Sequence, residues 1–295
     1  MTAPNDVYVI KKRRSKFRVA LRAVVCLLLI IVAVSGGYYW WTYHGPQRSI
    51  EIYKGISYGC EEITPVPEAR GLIYWAKADL NVPGVSLYVT PLDPVAQGQG
   101  YEYRLRYVST TVREENLAAA VNGTMFDSNS SIIRMSGDLA RSIETTVSDH
   151  TVNHVNEYSY LLGWDENNVA EQELDKPPSK SGMARAKIGI ATQNVTLRNG
   201  KVFLSAGHDV DHRTMIAVDP EKKLVWIAVF DHASVAFGAN WLAQQGAKFG
   251  FAVDGGTSSA MAIGKDAVGV QSGTVTGNWR PVATQFGFRA EPISK

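Results

Sequence analysis

Cysteine is nearly absent from this chain. Cys26 lies in an apolar run near the N-terminus and Cys60 stands alone in the rest, so no disulfide can form within the body. No P-loop occurs, and no Rossmann glycine fingerprint follows a strand, which removes the common nucleotide-binding signatures. The Gly-x-Ser-x-Gly nucleophile elbow is missing as well, and Thr257-Ser-Ser does not recreate it. There is no helical repeat, heptad or low-complexity tract. Basic charge is scarce where nucleic acid would need it. Of the 30 Lys/Arg and 28 Asp/Glu, seven and one respectively fall in residues 1–44, leaving 23 against 27 in the body, a net of −4. A mildly acidic body gives no electrostatic footprint for nucleic acid.

The basic residues collect where they mean something else. Residues 1–22 hold Lys11, Lys12, Arg13, Arg14, Lys16, Arg18 and Arg22, and no charge follows from Ala23 to Tyr43. About 20 apolar residues span a bilayer as a helix. The basic flank predicts a cytoplasmic N-terminus, and Tyr38, Tyr39, Trp40, Trp41 and Tyr43 suit the far membrane–water interface. Residues 23–43 therefore read as a single-pass anchor, with the body periplasmic or extracellular. A cleaved signal peptide competes, since Ala33-Val34-Ser35 is a passable cleavage site; the long N-terminal region and the aromatic exit favour the anchor. Asn122, Asn129 and Asn194 match the glycosylation acceptor pattern, which matters only in a eukaryotic secretory route.

Residues 44–70, with Pro46, Pro65 and Pro67, read as a linker leading into a domain over 71–290. Strands are predicted at Leu72–Ala78, Val85–Thr90, Tyr101–Val108 and Ala118–Val121. Thr111-Val-Arg-Glu114 fits a capping box for a short helix from Val112 to about Leu117. Residues 127–186 are polar and irregular, a long excursion of the kind that is usually functional or mobile. Strand character returns at Lys187–Ala191. Hairpins follow around Asn199-Gly200 and around Asp219-Pro-Glu-Lys, then a helix at Ala239–Gln245, strands at Phe249–Val253 and Ala260–Ile263, and a last strand at Val282–Phe288. Many strands with few helices imply an α+β fold. It is a single mixed domain on an antiparallel or mixed β-sheet, preceded by one transmembrane helix.

Four stretches could carry chemistry. In the first, Asp254 ends an apolar strand, Gly255 and Gly256 permit tight turns and close approach of a ligand, and Thr257, Ser258 and Ser259 follow. Successive N–H groups there could cradle an anion, although Asp-Gly is also a common hairpin turn. In the second, Asn122-Gly123-Thr124 at another strand end, with Asp127 near, could contact a polar ligand or form a plain β-turn. In the third, His208, Asp209, Asp211 and His212 are all metal-ligand types, but no defined metal signature matches and a solvated loop is the alternative. Arg213 beside them suits bidentate contact with phosphate or carboxylate. The fourth is Asn278-Trp-Arg-Pro281, where Pro281 restricts Arg280 to extended backbone and Trp279 could stack on a sugar face.

Taken together these stretches resemble the phosphodiester glycosidase family, over roughly Leu72 to Phe288. Ala120-Val-Asn-Gly-Thr-Met-Phe126 is similar to its Ile-Asn-Gly-Gly-Phe-Phe, and His212-Arg-Thr-Met-Ile-Ala-Val218 to its Pro-Arg-Thr-Ala strand. Val253-Asp-Gly-Gly-Thr-Ser-Ser-Ala-Met261 resembles its Leu-Asp-Gly-Gly-Gly-Ser-Ser-Thr, and Arg280-Pro-Val its Arg-Pro-Val. Thr124 and Thr257 replace glycines and His212 replaces a proline, and side chains at 124 and 257 could narrow the pocket. The resemblance implies hydrolysis of the bond between a sugar's anomeric carbon and a phosphodiester. Arg213 and Arg280 would grip phosphate, with Gly123, Thr124 and the Gly255–Ser259 turn as further contacts. Asp254 would be base or oxocarbenium stabiliser, Asp127 a second carboxylate, and Asn122 a member of the same catalytic set. The expected partners are a phosphosugar or glycan substrate and, through the N-terminal helix, the membrane. No cofactor is demanded, and a divalent metal stays open. Two alternatives remain: a non-catalytic surface module binding phosphorylated glycans, and a metal-dependent phosphodiesterase using the His/Asp cluster.

Overall fold

Residues two apart along the strands share a fate, and this alternation builds the layers. Ile216 and Val218 face one core while Met215 and Ala217 face another. The same split separates Ile227 and Val229 from Ala228 and Phe230, and Val121 from Ala120. The computed structural model describes residues 19, 21–35, 47–130, 133–173, 178–203 and 209–294. The chain divides into two compact units, residues 1–45 and 46–295. In the first, residues 21–35 form helix α1 with every described residue exposed. Among the described residues no helix is long and apolar enough to cross a membrane. The expected span, 23–43, runs past residue 35 and so lies partly outside them.

In chain order the second unit begins with β1 (Gln47–Tyr53), β2 (Ile56–Val66), β3 (Ala69–Asp79), β4 (Ser86–Val89), α2 (Pro94–Gln97), β5 (Tyr103–Arg104) and α3 (Val108–Glu114). Then come β6 (Ala119–Asn122), β7 (Phe126–Ser128), β8 (Leu139–Ser142), β9 (Thr146–Ser148), β10 (Thr151–Val152), β11 (Tyr160–Trp164), β12 (Ala170–Glu173), α4 (Lys180–Arg185) and β13 (Ile188–Thr192). The last part holds β14 (Asn194–Arg198), β15 (Lys201–Val202), β16 (Asp211–Asp219), β17 (Leu224–Ala233) and α5 (Val235–Gln244). It ends with β18 (Phe249–Ala252), β19 (Met261–Ile263), β20 (Gly273–Thr276) and β21 (Gln285–Arg289).

The largest sheet has eight strands in the order β1-β2-β3-β17-β16-β18-β14-β15. A five-stranded sheet, β20-β19-β6-β21-β4, faces it across a core that includes Ile216, Phe251, Val121, Met261, Phe286 and Phe288. On the outer face of the large sheet, α5 buries Ala239, Trp241 and Leu242 against Met215, Trp226 and Phe230. On the outer face of the five-stranded sheet, α3 and the small sheet β5-β8-β7 pack on Ala120 and Ala262. A further sheet, β10-β9-β13-β11-β12, completes the unit. The pairings that frame the site, β16 with β18, β6 with β19 and β6 with β21, are all antiparallel. Each large apolar side chain so buried stabilises the fold by about 1.5–3 kcal/mol.

Both predicted hairpins are present, and Asn199 and Gly200 take the two positive φ angles, 51° and 74°, that a tight two-residue turn needs. Other expectations are corrected. Residues 47–66 are two strands of the largest sheet rather than a linker. Pro65 is accommodated because the β2–β3 register shifts between Ile63 and Val66, where no ladder N–H is required of it. The excursion 127–186 contains short strands, and β11 is buried along most of its length. No capping box forms: α3 starts at Val108, Tyr107 caps it without a side-chain bond, and Thr111 is fully buried inside the helix. Of the expected strand only Tyr103–Arg104 joins a sheet and Arg106 makes a single bridge to Val282, because the chain then turns to bury Val108 and Val112 one helical turn apart.

One carboxylate fastens α5 to the sheet. Glu61 on β2 accepts the Trp75 indole N–H at 2.9 Å and the Trp241 indole N–H at 3.2 Å. Glu61→Ala is expected to lower stability by about 2 kcal/mol, the scale of two lost bonds to a charged acceptor. Urea unfolding measures it, and an unchanged midpoint with unchanged near-UV tryptophan signal would refute the fastening role.

Candidate functional site

Strands β6 and β18 end, and β16 and β21 begin, at the same edge of the two facing sheets. Asn122, the last residue of β6, is 0 % exposed and its carboxamide ties these ends together. Its Nδ2 donates to the Asp254 carbonyl at 2.6 Å. Its Oδ1 accepts from Thr214 Oγ1 at 2.7 Å and from the Ala260 N–H at 3.1 Å. The Asp254 N–H donates to the Gly123 carbonyl at 3.0 Å. Asp254–Ser259 is therefore no hairpin turn, because β18 pairs with β16 and β14 whereas β19 pairs with β6 and β20. The segment crosses from one sheet to the other through a short 3-10 turn, Gly256–Ser258. Gly256 has φ +59°, the left-handed region glycine tolerates best. A Cβ on Gly123 would meet Thr284 Oγ1 at 2.5 Å, so the close passage of β6 against the start of β21 also requires glycine.

Asp254 and Arg280 meet there. The Arg280 Nη2 lies 3.4 Å from Asp254 Oδ2, with side chains 28 % and 16 % exposed, so both remain open to a ligand. Arg280 Nε donates to Ser258 Oγ at 2.9 Å, and Nη2 reaches the same hydroxyl. Burial pushes the Asp254 carboxyl above the usual range; the Ser258 hydroxyl, the Arg280 charge, the Gly255 amide and the Arg134 charge oppose it. The Arg280 face also covers the Phe126 ring, its central carbon 5.5 Å from the centroid.

Glu144, which carries no motif in the sequence, is the second carboxylate of this region. It is fully buried in the loop between β8 and β9; Oε1 accepts the Gln193 N–H at 2.9 Å and Oε2 has no hydrogen-bond partner among the described residues. Burial pushes its carboxyl up to about 7, the Gln193 amide opposes this, and the Asp254 charge adds to it. A hydroxyl chain leads to it: Thr284 Oγ1 lies 2.9 Å from Thr124 Oγ1, which lies 2.7 Å from Ser142 Oγ, and Ser142 Oγ donates to the Glu144 carbonyl at 2.6 Å. The only local sign was a Glu among Ser142, Thr145 and Thr146 in a stretch without periodicity.

The other candidates fall around this centre. Thr124 is buried in that hydroxyl chain, and Thr257 is exposed on the turn. Ser258 and Ser259 spend their N–H groups on the turn itself, accepted by the Gly255 and Gly256 carbonyls. Arg213 lies behind the turn: a Cβ on Gly255 would be 3.6 Å from its Nη1, and its guanidinium donates to the carbonyls of Asp209 (2.9 Å) and Ala233 (3.4 Å). Asp127 is exposed, one residue along β7 from the buried Phe126 and so on the opposite strand face. Asn122 is too buried to accept a glycan.

His208 lies outside the described residues, Asp209 and Asp211 are exposed, and among the described residues no group of three His, Cys, Asp or Glu could hold an ion. His212 lies tilted against His232, centroids 4.6 Å apart, and makes an edge contact with Trp279 at 5.5 Å. Trp279, 68 % exposed and next to Arg280, gives the site an aromatic flank.

The family model for phosphodiester glycosidases matches residues 115–289, more than half of the chain and all of the segments that meet at Asp254. No curated protein matches the sequence. Among solved structures the chain is similar to the catalytic domain of zebrafish N-acetylglucosamine-1-phosphodiester alpha-N-acetylglucosaminidase, auto-inhibited by its pro-peptide. That likeness has 15% identity and a TM-score of 0.58, over 82% of this chain and 87% of that one. It is also similar to a hypothetical protein from Synechocystis, with 13% identity and a TM-score of 0.58 over 83% of this chain and 64% of the other. At these identities the structural likeness is one of fold, and the family match carries the assignment: the chain belongs to the phosphodiester glycosidase family and is an enzyme of that kind.

Proposed function

We propose that this enzyme releases a sugar from a phosphodiester-linked glycan or glycolipid on the outer side of a membrane, to which residues 23–43 anchor it. The observation that carries the chemistry is the meeting of Asp254, Ser258 and Arg280 at the crossing between two sheets. Arg280 offers a planar, permanently charged fork to the phosphate. Phosphate departs readily, so the carbon–oxygen bond can break without a strong general acid. The burden falls on the sugar ring, which becomes oxocarbenium-like, and on the water that attacks it. Asp254 serves there as base or as the counter-charge to the ring. Burial raises its proton affinity; the Ser258 hydroxyl, Arg280 and the Gly255 amide act in the other direction, toward the charged form the role demands. Trp279 offers a face for the sugar or its partner group. Support for the anchor comes from the uncharged stretch Ala23–Tyr43, the basic residues before it and the aromatic residues at its end.

Three outcomes follow. Asp254→Asn is expected to reduce turnover of a sugar-1-phosphodiester about 1000-fold, at the scale of losing a charge made for the transition state. Sugar release by the full chain measures it, and a variant as active as the wild type would remove Asp254 from the mechanism. Glu144 sets a pH dependence. Its folded carboxyl holds a proton up to about pH 7 whereas the unfolded one loses it near 4.5. The unfolded chain thus binds fewer protons in that window, and stability falls as pH rises through it, by up to about 1.4 kcal/mol per pH unit. Urea midpoints between these two pH values test this; a slope that survives Glu144→Gln would contradict the assignment. Finally, the full chain is expected to resist carbonate extraction from membranes, and its appearance in the soluble fraction would exclude the anchor.

A further inference from the structure

The Phe126 ring carries two guanidinium groups. The central carbon of Arg280 lies 5.5 Å from its centroid, and that of Arg134 lies 4.8 Å away. Arg134 comes from the loop between β7 and β8 and is half-buried, between the exposed Ile133 and Met135. Like charges this close to one ring repel, the more so where water screens them poorly. Burial first, and Arg134 after it, lower the proton affinity of Arg280, against the pull of Asp254. Among the described residues Asp254 is the charge that opposes the pair. Arg280 has Asp254 at 3.4 Å, whereas Arg134 forms no ion pair and donates no side-chain hydrogen bond among the described residues. The corner brings two guanidinium groups to one ring, and among the described residues one of the two forks has no hydrogen-bond or ion-pair acceptor.

We propose that Arg134 is a second phosphate-binding residue, which meets the charge that develops on the phosphate as it departs. The inference rests on the phosphodiester reading above. A phosphodiester carries one negative charge, for which Arg280 suffices. When the bond between C1 and the bridging oxygen breaks, its electron pair stays on the phosphate oxygen. Water forms the new C1–O bond and gives up one proton. The product is a phosphate monoester with a second negative charge. A second guanidinium is therefore needed at the end of the step and not at its beginning. An interaction that strengthens on the way to the transition state accelerates the reaction, and its loss appears in kcat rather than in KM. Phe126 supports both planar groups by cation–π contact, so neither has to be ordered at the moment of reaction.

The full-length enzyme is compared with Arg134→Gln and Arg134→Lys on a sugar-1-phosphodiester, and binding of inorganic phosphate is measured by calorimetry. Arg134→Gln is expected to lower kcat about 100-fold, as when one transition-state donor is removed, with KM within about threefold. Phosphate binding weakens about tenfold or more, and Arg134→Lys, which keeps the charge but not the fork, recovers part of both. Circular dichroism confirms that each variant is folded. If kcat and phosphate affinity are unchanged in Arg134→Gln, or only KM rises, the proposal fails and the phosphodiester reading stands. If the wild type cleaves no phosphodiester, that reading fails, and the calorimetry decides the anion site alone. Equal phosphate binding by wild type and Arg134→Gln, or none by either, then overturns it, and a loss confined to the variant sustains it.

Discussion

The carboxamide of Asn122 holds the site together. It makes three hydrogen bonds: its Nδ2 donates to the Asp254 carbonyl, and its Oδ1 accepts from the Thr214 hydroxyl and the Ala260 amide. They join the edge of one sheet to the edge of the other and fix the segment that passes between them. A buried amide with an unmatched partner costs about 1–3 kcal/mol, so the three bonds act as one requirement. Because that requirement is met, Asp254 stands where β18 leaves its sheet, and Ser258 turns back toward it. Asn122 itself is fully enclosed.

Electrostatics at this edge is a contest between burial and compensation. Two carboxyl groups, Asp254 and Glu144, are pushed toward their neutral forms. Two guanidinium groups, Arg280 and Arg134, gather on one aromatic ring. The hydroxyl chain from Thr284 through Thr124 and Ser142 links the two regions without adding charge. Thr124 departs from the family's glycine, yet its side chain is spent inside this chain, so the departure reshapes the support of the site and leaves its opening alone.

Parts of this arrangement are legible in the sequence. The Asp254–Ser259 stretch, Asn122-Gly123 and Arg280 were each marked by glycines or polar residues at the end of an apolar run, a pattern set by local backbone needs. Glu144 and Arg134 were not. They sit in the polar region 127–186, where the strands are two to five residues long and too short for an alternation to show. The capping box at Thr111 was read from a pattern that fits, but burial of Val108 and Val112 started the helix earlier. Arg213 suits phosphate by its residue type; the Asp209 and Ala233 carbonyls occupy donors of its guanidinium behind the turn.

By itself the sequence determined the strand-rich character of the body, its two tight hairpins, the uncharged stretch near the N-terminus and the four segments shared with a family. Those depend on neighbours in the chain, on alternation and on turn chemistry. Only the tertiary structure decided that Asp254 crosses between sheets, that Asn122 is enclosed where the two sheets meet, and that Glu144 and Arg134 lie close to Asp254 and Arg280. These follow from which sheet each strand enters, and strand partners far apart in sequence are chosen by burial across the whole domain.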